Sequence, residues 1–100
     1  MADVIICESL EGARSNIDRI DRQFVALLAE RGGYVKQAAR FKKTAADVGA
    51  PQRVRQAIAN VSRLSREFGA DPVVVERVYR TMISAFVEAE MAAHAAFNGS

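Results

Sequence analysis

Apolar residues recur along the first half of the chain at Leu10, Ala13, Ile17, Ile20, Phe24, Leu27, Tyr34, Ala38 and Phe41. The steps alternate between three and four residues, with Arg31 in the place the pattern reserves after Leu27. That spacing draws one stripe along an α-helix, and its persistence over more than four repeats makes it a heptad seam. Ser9 is a suitable N-cap, and the pattern predicts a helix from Leu10 to about Thr44. The segment ADVGAP then breaks it. Pro51 suits the first turn of a second helix, which runs to about Phe68 and stops at Gly69. Asp71 caps a third, with Pro72 at its first position, through VVVERVYRTMISAFVEAEMAAHA to about Ala96. No alternation of period two, no internal repeat and no low-complexity tract interrupts this reading. The predicted fold class is all-α, three helices with a very long first one. The expected organisation is a flexible N-terminal arm over residues 1–8, one helical domain over 9–97 and a tail over 98–100.

Length turns this pattern into a prediction about assembly. A helix of about 35 residues is roughly 50 Å long, whereas a compact chain of this size has a radius of gyration of about 13 Å. The first helix overshoots its own domain, and its apolar stripe needs a cover. The simplest cover is the same helix of a second copy, in a twofold homodimer. Composition agrees: 50% of the residues are hydrophobic but only 7% aromatic, with alanine carrying much of the total. The core of one chain is therefore thin.

Charge and cysteine exclude more than they propose. A formal net charge of +2 gives no strong case for nucleic acid or an anionic membrane as the main partner. The single cysteine, Cys7, excludes an internal disulfide and a thiol zinc cluster, and reads as an incidental thiol in the arm. The start MADVIICESLEG has too short an apolar patch, and no basic region before it, to read as a signal peptide. Nothing is long enough to span a bilayer, so the expected location is the cytoplasm. The lone His94 reads as a residue of a frayed helix end.

The informative residues are cations on the apolar side of the first helix. Arg31 holds the heptad position of Leu10, Ile17, Phe24 and Ala38. On an ideal helix Lys42 returns to within roughly 20° of it, about 16 Å further along the axis. Arg14 borders the same stripe about 25 Å from Arg31, too far to share a small ligand except from an antiparallel partner helix. The bland reading is snorkelling edge residues, with Arg31 setting register. Three cations together weaken it. A buried guanidinium costs several kcal/mol unless paired, and the nearby acids Asp18, Asp21 and Glu30 fall on outward positions. An anionic ligand resolves the imbalance. Arg53 adds a cation in the first turn of the second helix, where free amides and the helix dipole favour anions. Arg55, Arg63 and Arg66 read as solvated face. On the third helix Val75, Val78 or Tyr79, Met82, Phe86 and Ala93 form the inward stripe, with Glu90 on it and Glu88 pointing to solvent. Glu90 is either a salt-bridge partner of Lys42 or Arg31, a rim residue, or a hydrogen-bonding group facing the ligand. The pair Gly32-Gly33 fits close helix approach at a dimer core or local flexibility beside Arg31.

These residues resemble a known family. R-x-x-I-D-R-I-D from Arg14 to Asp21, A-E-R from Ala29 to Arg31 and Y-V-K-x-A-x-R-F-K from Tyr34 to Lys42 are similar to the all-helical chorismate mutases. A-P-x-R-V from Ala50 to Val54 brings the chain near their isochorismate-pyruvate lyase branch. The resemblance covers about residues 9 to 95. It implies an intertwined homodimer of the chorismate mutase type II fold, with two active sites and no metal or organic cofactor. It also implies a small dicarboxylate substrate. Arg31 and Lys42 of one chain would bind its carboxylates and ether region, Arg14 would come from the partner chain, and Arg53 would add a further cation. Glu90 falls where the family usually has glutamine, the group that hydrogen-bonds the breaking ether oxygen together with Lys42.

The chemistry implied is a Claisen rearrangement of chorismate to prephenate, which needs no acid, base or nucleophile. Negative charge develops on the ether oxygen, so fixed cations there favour the transition state, and clamped carboxylates hold the side chain over the ring. The alternative is hydrogen transfer in isochorismate, giving salicylate and pyruvate. Many mutases have acids where this chain has Ala50 and Val54, and their absence resembles the lyase branch. Glu90 departs from the glutamine of typical bacterial members of both. An ionised Glu90 repels the developing oxyanion, so it acts only when protonated, and turnover is expected to improve as pH falls. A helical module that binds a small acid or a protein without turnover shares every one of these features. The resemblance leaves aromatic amino-acid synthesis and salicylate synthesis equally open.

Overall fold

The computed structural model describes residues 4–42 and 50–98, without the side chains of residues 94, 97 and 98. Its three helices are α1 (Leu10–Ala39), α2 (Pro51–Phe68) and α3 (Pro72–Asn98), and the described residues contain no strand. Thr44, most of the ADVGAP break and the His94 side chain lie outside the described residues.

The helix ends follow from local chemistry. Ser9 is extended, and its hydroxyl accepts the Gly12 amide at 3.0 Å, satisfying one of the orphan donors of the first turn of α1. Glu11 adds a negative charge near that positive end. At the other end the expectation of a helix to about Thr44 is too long. Regular α-helical bonding stops at Ala39, and Arg40, Phe41 and Lys42 donate to Gln37, Ala38 and Ala39, each at 3.1 Å. This tighter three-residue pattern satisfies the last carbonyls without a glycine cap.

Pro51 opens α2 as predicted, and Gly69 closes it with a φ of 72°. The left-handed backbone lets the Gly69 and Ala70 amides both turn back to the Ser65 carbonyl. Asp71 then starts α3, its carboxylate accepting the Val73 amide at 2.9 Å. So short a connection makes α2 and α3 neighbours, and α2 packs along α3.

The buried core is small. Ile58, Val61 and Ser65, all on α2, are the buried residues among those described. They repeat at three and four residues and face α3, and the Ser65 hydroxyl donates to the Val61 carbonyl at 2.7 Å, so no buried polar side chain among the described residues is left unmatched. On α1 no residue is buried. The stripe read from the sequence lies open: Ile17 is 56%, Phe24 54% and Leu27 64% exposed.

Whole-chain dimensions agree. The radius of gyration is 16.9 Å and the extents 57 × 27 × 17 Å, against about 13 Å for a compact chain of this length. The accessible surface, 8252 Å², exceeds the about 5,600 Å² of a folded monomer of this mass.

Candidate active site

A cleft of about 440 Å³ lies among the C-terminal part of α1 and the tight turn after it, the start of α2, and the later part of α3. The volume suits a small metabolite. Its walls include Val35 and Ala38 from α1, Val54 and Ala57 from α2, and Ile83 and Val87 from α3. Into this apolar setting project Arg31, Lys42 and Arg53, while Glu90 is the one carboxylate among the described lining residues.

Each charged group is placed by a different element. Lys42 stands just beyond α1, in the tightened turn, rather than on the ideal helix that put it within about 20° of Arg31. It reaches the cleft all the same. Its Nζ meets the Glu90 Oε2 at 3.0 Å, and the two side chains are 28% and 10% exposed. Of the readings of Glu90, the structure shows the salt bridge, made to Lys42. Glu90 sits one turn after Phe86 on the inner side of α3, whereas Glu88 is exposed, as expected.

Arg31 is half-buried and makes no ion pair among the described residues. Two rings of α3 flank it: the guanidinium carbon lies 5.8 Å from the Tyr79 centroid and 5.7 Å from the Phe86 centroid. The neighbouring Gly32 explains how α3 comes so close. A Cβ there would stand 3.1 Å from the Phe86 Cε1 atom, tighter than ordinary contact. The close approach expected at the glycine pair is thus made within the chain, by Gly32 alone; Gly33 faces open space.

Arg53 lies in the first turn of α2, exposed but on the cleft rim. Arg14 is exposed on α1 and absent from the cleft lining. One chain brings Arg31, Lys42, Arg53 and Glu90 together and leaves Arg14 about 25 Å along the helix from Arg31. Sequence reading missed Ile83 and Val87 as cleft walls, and it assigned Tyr34 and Ala38 to the seam although both also line the cleft. Tyr79 rather than Val78 faces inward, since Val78 is 44% exposed, and Ala93 is exposed rather than part of the stripe.

Three cations and one carboxylate give this cleft a net positive lining between the helices of a thin all-α chain. The chain matches chorismate mutase type II over residues 13–91, and it belongs to that family. It is 37% identical over 81 residues to the isochorismate pyruvate lyase of Pseudomonas aeruginosa, an alignment covering 81% of this chain and 80% of that protein. It is also 32% identical over 96 residues to the bifunctional chorismate mutase/prephenate dehydratase of Aquifex aeolicus, covering 92% of this chain and 26% of that longer protein.

Proposed function

We propose that the protein is a chorismate mutase that converts chorismate to prephenate in the cleft between α1, α2 and α3. The observation that carries this reading is the convergence of Arg31, Lys42 and Arg53 on a single small cleft in a chain of this family. Arg31 and Arg53 bind the substrate carboxylates, and Lys42 stabilises the charge that grows on the ether oxygen as the bond to the ring breaks. Lys42 and Glu90 already meet at 3.0 Å, so a ligand oxygen beside them is within reach of both. A protonated Glu90 donates to that oxygen; an ionised one repels it. The apolar walls lower the local dielectric and strengthen each of these interactions. The reaction calls for no metal or organic cofactor.

The working unit in this reading is a homodimer in the cytoplasm. The exposed seam of α1 supports it, and pairing that seam antiparallel carries Arg14 of one chain to the cleft of the other. The partner's Arg14 then completes the cage around a doubly anionic substrate.

Isochorismate-pyruvate lyase activity is the second reading. It is favoured by Ala50 and Val54, which line the cleft where many mutases present acids, and by the similarity to the Pseudomonas protein. Consumption of chorismate and of isochorismate, followed by loss of ultraviolet absorbance with product identification, tests both. Prephenate supports the mutase, and salicylate with pyruvate supports the lyase. Binding of either compound without turnover would leave only a small-acid binding module.

A further inference from the structure

Arg31 differs from the other cations of the cleft in how it is held. Lys42 is neutralised by Glu90, and Arg53 is exposed. Arg31 is half-buried beside two aromatic rings, with no carboxylate partner among the described residues. Tyr79 and Phe86 are seven residues apart, so they share one side of α3 at about 10 Å separation along its axis. A guanidinium 5.8 Å from one ring centroid and 5.7 Å from the other lies between them, not stacked on one alone.

The difference between a ring and a carboxylate as a partner is chemical. A carboxylate occupies two of the five N–H donors and cancels the charge. A π-face attracts the cation through its quadrupole and does neither. Ring contacts therefore fix the guanidinium while its charge and its donor edge stay available. The Gly32 contact shows that the arrangement depends on close approach, because the Phe86 ring occupies the space a Cβ at residue 32 would need. That glycine costs helix stability relative to alanine, and it stands directly after Arg31.

We propose that Tyr79 and Phe86 are positioning residues that hold Arg31 at the cleft with its charge and donors unspent, and that position 32 is glycine because Phe86 seats on it. The role of the held guanidinium, to receive a substrate carboxylate, rests on the mutase or lyase reading above; the clamp itself does not. Removing either ring loosens an interaction made in ground state and transition state alike. The expected result for Tyr79→Leu and Phe86→Leu is a KM raised on the order of tenfold with kcat nearly unchanged. Tyr79→Phe and Phe86→Tyr keep the π-faces and restore wild-type KM. Gly32→Ala displaces the Phe86 ring and raises KM in the same way. In an Arg31→Gln background the leucine substitutions add nothing further. An equal KM rise in that background, or leucine variants with wild-type KM, overturns the proposal.

A measurement on the unliganded wild-type protein needs neither substrate nor variant. Ring currents place the Arg31 Nε–H proton upfield of that of the exposed Arg55, and coincidence of the two overturns the clamp. If the wild type neither consumes nor binds chorismate or isochorismate, the functional reading fails, and this resonance alone decides the clamp.

Discussion

Lys42 and Glu90, which meet at 3.0 Å, are the pair on which the proposed mechanism rests most. Replacing Lys42 by alanine removes the cation proposed to face the developing charge. Loss of such a preorganised group costs about 10²–10³ in rate, and kcat/KM measured with chorismate is expected to fall by that much. Glu90→Gln keeps a hydrogen-bonding group beside Lys42 and removes the carboxylate that faces the proposed oxyanion, so kcat/KM with chorismate is expected to match or exceed the wild-type value. A loss of about tenfold or more would refute the role proposed for Glu90. Arg31, Lys42 and Glu90 were legible in the sequence because a charge on an apolar stripe contradicts its surroundings. Tyr79 and Phe86 were not, because an aromatic on a stripe agrees with them. Its contact with a guanidinium depends on how α1 and α3 meet, which no periodicity encodes.

Helix boundaries were legible where the chain carries punctuation. Pro51, Gly69, Asp71 and Pro72 each impose a backbone state, and α2 and α3 begin and α2 ends where they stand. The end of α1 has no such mark. The apolar pattern continues through Phe41, yet the bonding tightens after Ala39. Pattern reports which side of a helix faces inward, not whether each amide reaches back three residues or four. Gly69 offers a clean test of the punctuation. An added Cβ there meets nothing within 4 Å, so the left-handed φ of 72° is the sole source of strain. Gly69→Ala is expected to destabilise the fold by about 1 kcal/mol, read from urea denaturation at fixed protein concentration.

The shared site proposed for the assembled molecule has a direct test. Arg14→Ala and Lys42→Ala, each inactive alone, restore activity when the two proteins are unfolded and refolded together. Each mixed dimer then holds one site with both native residues and one with neither. Random pairing returns about a quarter of the wild-type activity, whereas sites built within single chains return none. The sequence already raises both parts of this proposal, the assembly from a stripe too long for its own domain and the partner origin of Arg14 from its distance of about 25 Å to Arg31, and the refolding experiment decides them.

The bareness of α1, thirty residues long with none buried, carries a kinetic corollary. In the proposed dimer, where a twin covers this helix, catalytic competence is tied to copy number. Once the preparation is diluted below the dissociation constant of the pair, rate per milligram should decline in proportion to protein, so that total rate follows the square of concentration. A cell that makes few copies would hold mostly solitary chains, and a modest rise in expression would switch the reaction on more steeply than the protein itself accumulates.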